Sequence, residues 1–152
     1  MAVDYDLEMA SRLNKKQAFE LLAKHFDAQI SDDGVVVDGP NLLVFGHDFP
    51  HTHMTEMYEE AFHFTPTLSL SFRWRKECDF RAFYRTTLRA SMLMLEYAGD
   101  SVMIINEVTV FQRLGGELIF NTDGYVWMAE DEQLIQEEVR APHELRLLPR
   151  VL

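Results

Sequence analysis
Three of the six histidines fall within one short stretch, His47, His51 and His53, with Asp48 between them and Glu56 just beyond. Imidazole nitrogens and a carboxylate are competent ligands for zinc or nickel. The spacing argues for something plainer. His51 and His53 are not four residues apart, the interval that would align them on one helix face, and no HExxH pattern is present. The expectation is therefore a polar loop holding no metal and no cofactor. A small metal- or ligand-binding protein or enzyme built on the His47–His53 loop stands as the alternative, and elemental analysis of the purified protein separates the two.

The next concentration of chemistry is basic. Arg81, Arg85 and Arg89 recur at four-residue steps and so share one face of a helix, with Arg73, Arg75 and Lys76 just before them. They make either an anion or acidic-partner patch, or a solvated face whose arginine stems cover the edge of the core. Opposite in sign are Glu130, Asp131, Glu132, Glu137 and Glu138, a run without lysine or arginine. Such a run can imitate a phosphate backbone in front of a basic partner, or simply enrich a helix start in the carboxylates that its dipole favours. Tyr125 and Trp127 precede it as a second element of a partner surface, or as side chains closing the edge of a sheet. No GxSxG, P-loop, GxGxxG or Cys-x-x-Cys motif occurs, and Cys78 has no surrounding signature of a nucleophile. The expectation is a protein that is not an enzyme.

Composition bounds the partners. The chain has 152 residues, 47% hydrophobic and 26% charged, the balance of one globular domain spanning residues 1–152. Its net charge of −11 repels phosphate backbones and anionic lipid, which points away from nucleic acid and membrane and toward a basic protein partner. One cysteine excludes an internal disulfide and suits a reducing cytoplasm. The opening MAVDYDLEMA lacks the basic and apolar regions of a signal peptide, and SMLMLEYA falls far short of the ~20 apolar residues of a membrane span.

The elements that must position these groups follow from periodicity. Val3, Tyr5 and Leu7 alternate with Asp4, Asp6 and Glu8, giving a half-buried first strand. Asn14 with Gln17 forms a capping box for a helix over Lys15–Phe26. Val35–Val37 and Leu42–Phe45 predict two short strands joined by a turn. Residues 47–65 read as a long connection with one helical turn near Met54–Ala61. The organising stretch is Thr67–Asn121: an alternating strand (Leu68, Leu70, Phe72, Trp74), then a helix capped by Asp79 with Phe80, Tyr84, Leu88, Met92 and Leu95 facing the core. That helix is expected to end at Ala98-Gly99-Asp100. Three strands follow (Val102–Ile105, Val108–Leu114, Leu118–Phe120), with turns at Asn106-Glu107 and Gly115-Gly116.

Halves 1–47 and 66–121, each βαββ-like and joined by the loop 47–65, predict an α+β fold. Its core would be a single antiparallel sheet with two main helices packed on one face. Residues 122–152 are read as an acidic, irregular segment with a short helix near Asp131–Val139.

FRWRKECDFRAFYRTTLRASMLMLEYAGDSVMIINEVTVFQRLGGELIFN resembles the core of the Sit-type immunity proteins, the immunity partners of myxobacterial lipoprotein toxins. The likeness lies in Phe72-Arg73 ending the alternating strand and Leu88-Arg89-Ala90 in the helix. It continues through Gly99-Asp100, Asn106-Glu107 and the closing Asn121, and the opening MAVDYDLEMA is similar to family N-termini. The histidine-rich loop and Gly115-Gly116 depart from the family pattern. The resemblance implies interbacterial competition and a cytoplasmic antitoxin that neutralises one toxin domain by direct binding, without catalysis. It names no site residues. For a partner surface the sequence offers Tyr125, Trp127, Glu130, Asp131, Glu132, Glu137 and Glu138, and for an anion or partner patch Arg81, Arg85 and Arg89.

Overall fold
The computed structural model describes residues 3–49 and 53–152, with residues 53 and 54 described by backbone alone. Strand β1 (Val3–Ser11) and strand β5 (Leu68–Trp74) run antiparallel down the middle of a sheet. The rest of the first half is α1 (Lys15–His25), β2 (Gln29–Ile30), β3 (Val36–Gly39) and β4 (Leu42–Asp48). The second half continues from β5 through α3 (Phe80–Leu95), β6 (Ala98–Ile105), β7 (Val108–Leu114) and β8 (Glu117–Asn121). Between them lies α2 (His53–Phe62), and after them come α4 (Ala129–Glu138) and β9 (Glu144–Arg146).

The sheet order is β2-β3-β4-β5-β1-β6-β7-β8-β9. Each half therefore gives its first strand to the other: β1 pairs with β6, and β5 pairs with β4. The two βαββ-like halves of the sequence interlock.

Local chemistry explains the well-behaved elements. Asn14 accepts from the Gln17 amide at 2.9 Å while the Gln17 side chain accepts from the Asn14 amide at 3.0 Å, so α1 starts on a closed capping box. Asp79 accepts from the Ala82 amide at 3.0 Å and starts α3. Asn106 and Glu107 sit at φ 47° and 68°, the left-handed pair that a two-residue hairpin turn requires, and Gly115 and Gly116 repeat the device at 59° and 81°.

One face of the sheet carries the larger core: Leu7, Met9, Leu70, Phe72, Met103 and Phe120 beneath Phe19 and Leu22 of α1, Phe83 and Leu88 of α3, and Leu134 and Ile135 of α4. Each such side chain contributes roughly 1.5–3 kcal/mol by leaving water. The opposite face holds a second cluster, in which Tyr58 and Phe62 of α2 and Phe64 cover Val102 and Ile104. No helix among the described residues is long and apolar enough to cross a membrane.

Four expectations need correction. The sheet is mixed, because β9 runs parallel to β8. Helix packing is not confined to two helices on one face: α1, α3 and α4 share one face and α2 takes the other. The connection 47–65 carries more than the one helical turn expected near Met54–Ala61, since the ten-residue α2 forms there on an apolar stripe of Tyr58, Ala61 and Phe62. Helix α3 ends at Leu95 and not at Gly99, because Ala98 is already pairing with Ser11 as the first residue of β6.

Candidate functional site
The arginine stripe and the acidic run, read separately in the sequence, meet. Helix α4 lies beside α3 with its carboxylates toward the arginines. Arg81 Nη1 reaches Asp131 Oδ1 at 2.6 Å, and its Nη2 donates to the Glu130 carbonyl at 3.0 Å. Arg85 Nη1 lies 2.5 Å from Glu138 Oε1 and 2.9 Å from Glu137 Oε2. Arg89 Nε donates to Glu138 Oε2 at 2.5 Å and Nη2 to Oε1 at 3.1 Å. The result is a two-helix clasp in which the buried Glu138 carboxylate takes two guanidinium groups. Hydrogen bonds from Arg89, then Arg85, hold its carboxyl below the usual glutamate range. The same pairing raises Arg85 and Arg89 further above their ordinary values. Asp131 is buried as well, and its second oxygen accepts from the Met128 amide at 2.9 Å, closing the start of α4.

What remains at the surface of α4 is Glu130 and Glu132, with the outer Glu137, beside Tyr125 and Met128, which are 55% and 59% exposed. Trp127 is half-buried against the larger core. The Tyr125 hydroxyl accepts from Asn106 Nδ2 at 2.8 Å, and the Arg150 guanidinium sits 5.9 Å from the Tyr125 ring. Arg150 in turn grips Asp123 through Nε at 3.0 Å and Nη2 at 3.1 Å, and its hydrogen bonds hold the Asp123 carboxyl below its usual range. Tyr125 is thereby fixed with one ring face toward solvent.

The histidine loop divides differently. His47 is exposed at the end of β4, with its ring 5.0 Å from Phe49. Asp48 Oδ1 accepts from the Lys15 amide at 2.9 Å and so serves the N-terminus of α1. His51 and the side chain of His53 lie outside the described residues. Among the described residues no group of three or more histidine, cysteine or acidic side chains is arranged to hold a metal ion. Cys78 is half-buried in the turn before α3, where its carbonyl accepts from Trp74 Nε1 at 2.9 Å.

Sequence reasoning passed over a polar seam on the second sheet face. The register sets Asp4 opposite Arg73, Asp6 opposite Ser71 and Glu8 opposite Ser69. Each pair bonds: Arg73 to Asp4 at 2.8 Å and 3.0 Å, Ser71 to Asp6 at 2.6 Å, and Ser69 to Glu8 at 2.9 Å. Arg73 also lies 4.7 Å over the Phe45 ring. The signal was the matching alternation of the two strands, which became meaningful only once they were known to be neighbours. Glu8 is only 3% exposed, its Oε2 has no partner, and burial pushes its carboxyl up to about 8. Asp6, also desolvated, is raised in the same direction.

A hollow of about 480 Å³ opens between the end of α3 and the connection from α4 to β9, lined in part by Met92, Leu95, Arg140 and Pro142. Arg113 at its wall donates to the carbonyls of Leu95, Ala98 and Gly99 at 2.7, 2.5 and 2.9 Å and so ties the α3–β6 corner.

Comparison with known proteins gives one family. The chain matches the SitI3-like family over residues 3–131, from the first strand into the first turn of α4. No curated protein and no solved structure matches it. The match agrees with the resemblance carried by Phe72-Arg73, Leu88-Arg89-Ala90 and Asn106-Glu107, and it spans most of the chain: this protein belongs to the SitI3-like family.

Proposed function
We propose that this protein is a bacterial immunity protein that neutralises a cognate toxin in the cytoplasm by direct binding, with no reaction of its own. The observation that carries the proposal is the SitI3-like match over residues 3–131. Charge supports it: a net charge of −11 steers association with a basic protein surface and away from nucleic acid.

The partner surface we propose is the outer side of α4 and the turn before it: Tyr125, Glu130, Glu132 and Glu137, with the exposed Met128 among them. Trp127, Asp131 and Glu138 underlie that surface, and Arg81, Arg85 and Arg89 hold it in place from α3. The exposed tyrosine and methionine, with Glu130 and Glu132 beside them, present apolar anchors next to negative charge, the composition of an interface hot spot with a charged rim.

The test is co-expression with the toxin domain encoded beside the gene. Protection of the cells is the expected result, and continued killing would overturn the proposal. Glu130→Lys with Glu132→Lys reverses the rim and should weaken binding at least tenfold, ~1.4 kcal/mol or more. Unchanged affinity moves the interface away from α4.

A further inference from the structure
Three of the exposed apolar side chains lie together. Met57 of α2 is 45% exposed, Leu147 66% and Val151 45%, and all three line one continuous groove. Its two parts, about 450 Å³ and 560 Å³, share Ala61, His63 and Val151 along the seam between α2 and the segment after β9. That segment is pinned at two points: Asn121 Oδ1 accepts from the Leu148 amide at 2.9 Å, and Arg150 is held by Asp123. The groove is thus a built feature with apolar walls, and Arg150 of the same segment lies 5.9 Å from the Tyr125 ring.

The rim gives the sign of the occupant. Helix α2 contains no lysine or arginine. Glu56 and Glu60 lie one turn apart along the helix, while Met57 and Ala61, one residue on from each, line the groove. Glu60 is exposed and makes no ion pair among the described residues, and Glu59 accepts only from the Thr65 hydroxyl at 2.7 Å. Among the lining residues the arginine or lysine is Arg146, which is shared with Glu144 at 3.9 Å.

We propose that this groove docks a cationic, amphipathic segment of a protein partner. Its apolar side chains would seat on Met57, Leu147 and Val151, and its lysines or arginines would meet Glu60. On the immunity reading, on which the partner's identity rests, that segment belongs to the toxin. The interface then continues from Tyr125 around the sheet edge onto α2. Leu147 and Val151 lie beyond the residues matched by the family, so this part of the surface belongs to the chain's own C-terminal segment.

The experiment titrates a fluorescent leucine/lysine amphipathic helix peptide with the full chain at about 0.15 M ionic strength, where long-range attraction is largely screened. Glu60→Lys, and separately Leu147→Ser with Val151→Ser, should each weaken binding about tenfold. Glu20→Lys on α1, the same charge change away from the groove, should weaken it less than about twofold. These side chains are exposed, so circular dichroism is expected to report a fold unchanged by the substitutions. Equal weakening by Glu60→Lys and Glu20→Lys would reduce the effect to net charge and overturn the proposal. Indifference to the loss of Leu147 and Val151 would do the same. Equal binding of a leucine/glutamate peptide, or groove-dependent binding to phosphatidylglycerol vesicles, would overturn the cationic protein occupant. Absence of protection in co-expression, alongside groove-dependent peptide binding, removes the toxin and upholds the groove.

Discussion
Glu8 should make the stability of this protein fall as the solution becomes more alkaline. The carboxyl lies on the sheet face covered by α2, flanked by Ser69 of β5 and Val102 of β6. It receives one hydrogen bond, from Ser69 at 2.9 Å, and its Oε2 receives none. Desolvation raises its pKa, the Ser69 bond lowers it and nearby Asp6 raises it, with the balance at about 8 against an ordinary 4.5. The folded state therefore binds the proton more tightly than the unfolded chain. Between 4.5 and about 8 unfolding releases a proton, so stability is greatest below that window, declines through it and levels off above.

At about 1.36 kcal/mol per pH unit the window caps the loss at about 5 kcal/mol. Partial lifting of α2 lets water reach the charge at lower cost, so a measured loss of about 2–3 kcal/mol is expected. Glu8→Gln keeps the acceptor for Ser69 and cannot ionise. Its amide donors lack a partner, which costs about 1 kcal/mol. In urea unfolding followed by circular dichroism, the variant should be slightly less stable than wild type near pH 5, at the foot of the window, and more stable near pH 9, about one unit above it. Asp6 is raised in the same direction by its own burial, which is common to both proteins, so the difference reports Glu8 and its coupling to Asp6. Parallel pH profiles for the two proteins would refute the reasoning.

Other perturbations test the remaining structure. Asn121 is 2% exposed, donates to the Thr109 carbonyl at 2.7 Å and accepts from the Leu148 and Asp123 amides at 2.9 Å and 3.0 Å. Asn121→Ala should cost about 2–4 kcal/mol in chemical unfolding and make residues 146–152 the first site of limited proteolysis. Removing the clasp charge with Glu138→Gln should cost about 1 kcal/mol near neutral pH, the arginines being largely solvated. Because the Glu138 carboxyl is depressed, its contribution is present above the ordinary value and lost as pH falls through the folded one, so the two proteins should converge in acid. At Gly46 an added Cβ would lie 2.9 Å from Leu70 Cδ2, 3.0 Å from Phe19 Cε1 and 3.1 Å from the Ser69 carbonyl oxygen. Gly46→Ala should therefore lower stability by about 1–3 kcal/mol, and an unchanged melting temperature would contradict the close approach of β4 to α1.

The clasp between α3 and α4 changes what the charges of this protein are for. Arg85 and Arg89 meet Glu138 across 53 and 49 residues of sequence. That pairing turns the one concentrated basic stripe into a mount for the acidic helix. The outward field is left more uniformly negative, which suits steering of a basic partner. Ion pairs with one partner so exposed add little net stability, so the gain is better read as orientation: α4 is held in one register, with Glu130 and Glu132 outward.

Amino-acid order alone fixed what depends on near neighbours. The capping box at Asn14 and Gln17, the Asp79 cap, the positive-φ turns at Asn106-Glu107 and Gly115-Gly116, and the alternation of β1 and β5 are local, and each stands in the structure. The family resemblance was legible for the same reason, since it rests on short runs within 72–121. Pairing across the chain was not legible. Which strands exchange between halves, that β9 joins parallel to β8, that α2 buries Glu8, and that the arginines of α3 close on the carboxylates of α4 are all contacts between distant residues. A residue type states what a side chain can bond to, and only the fold brings that partner within about 3 Å.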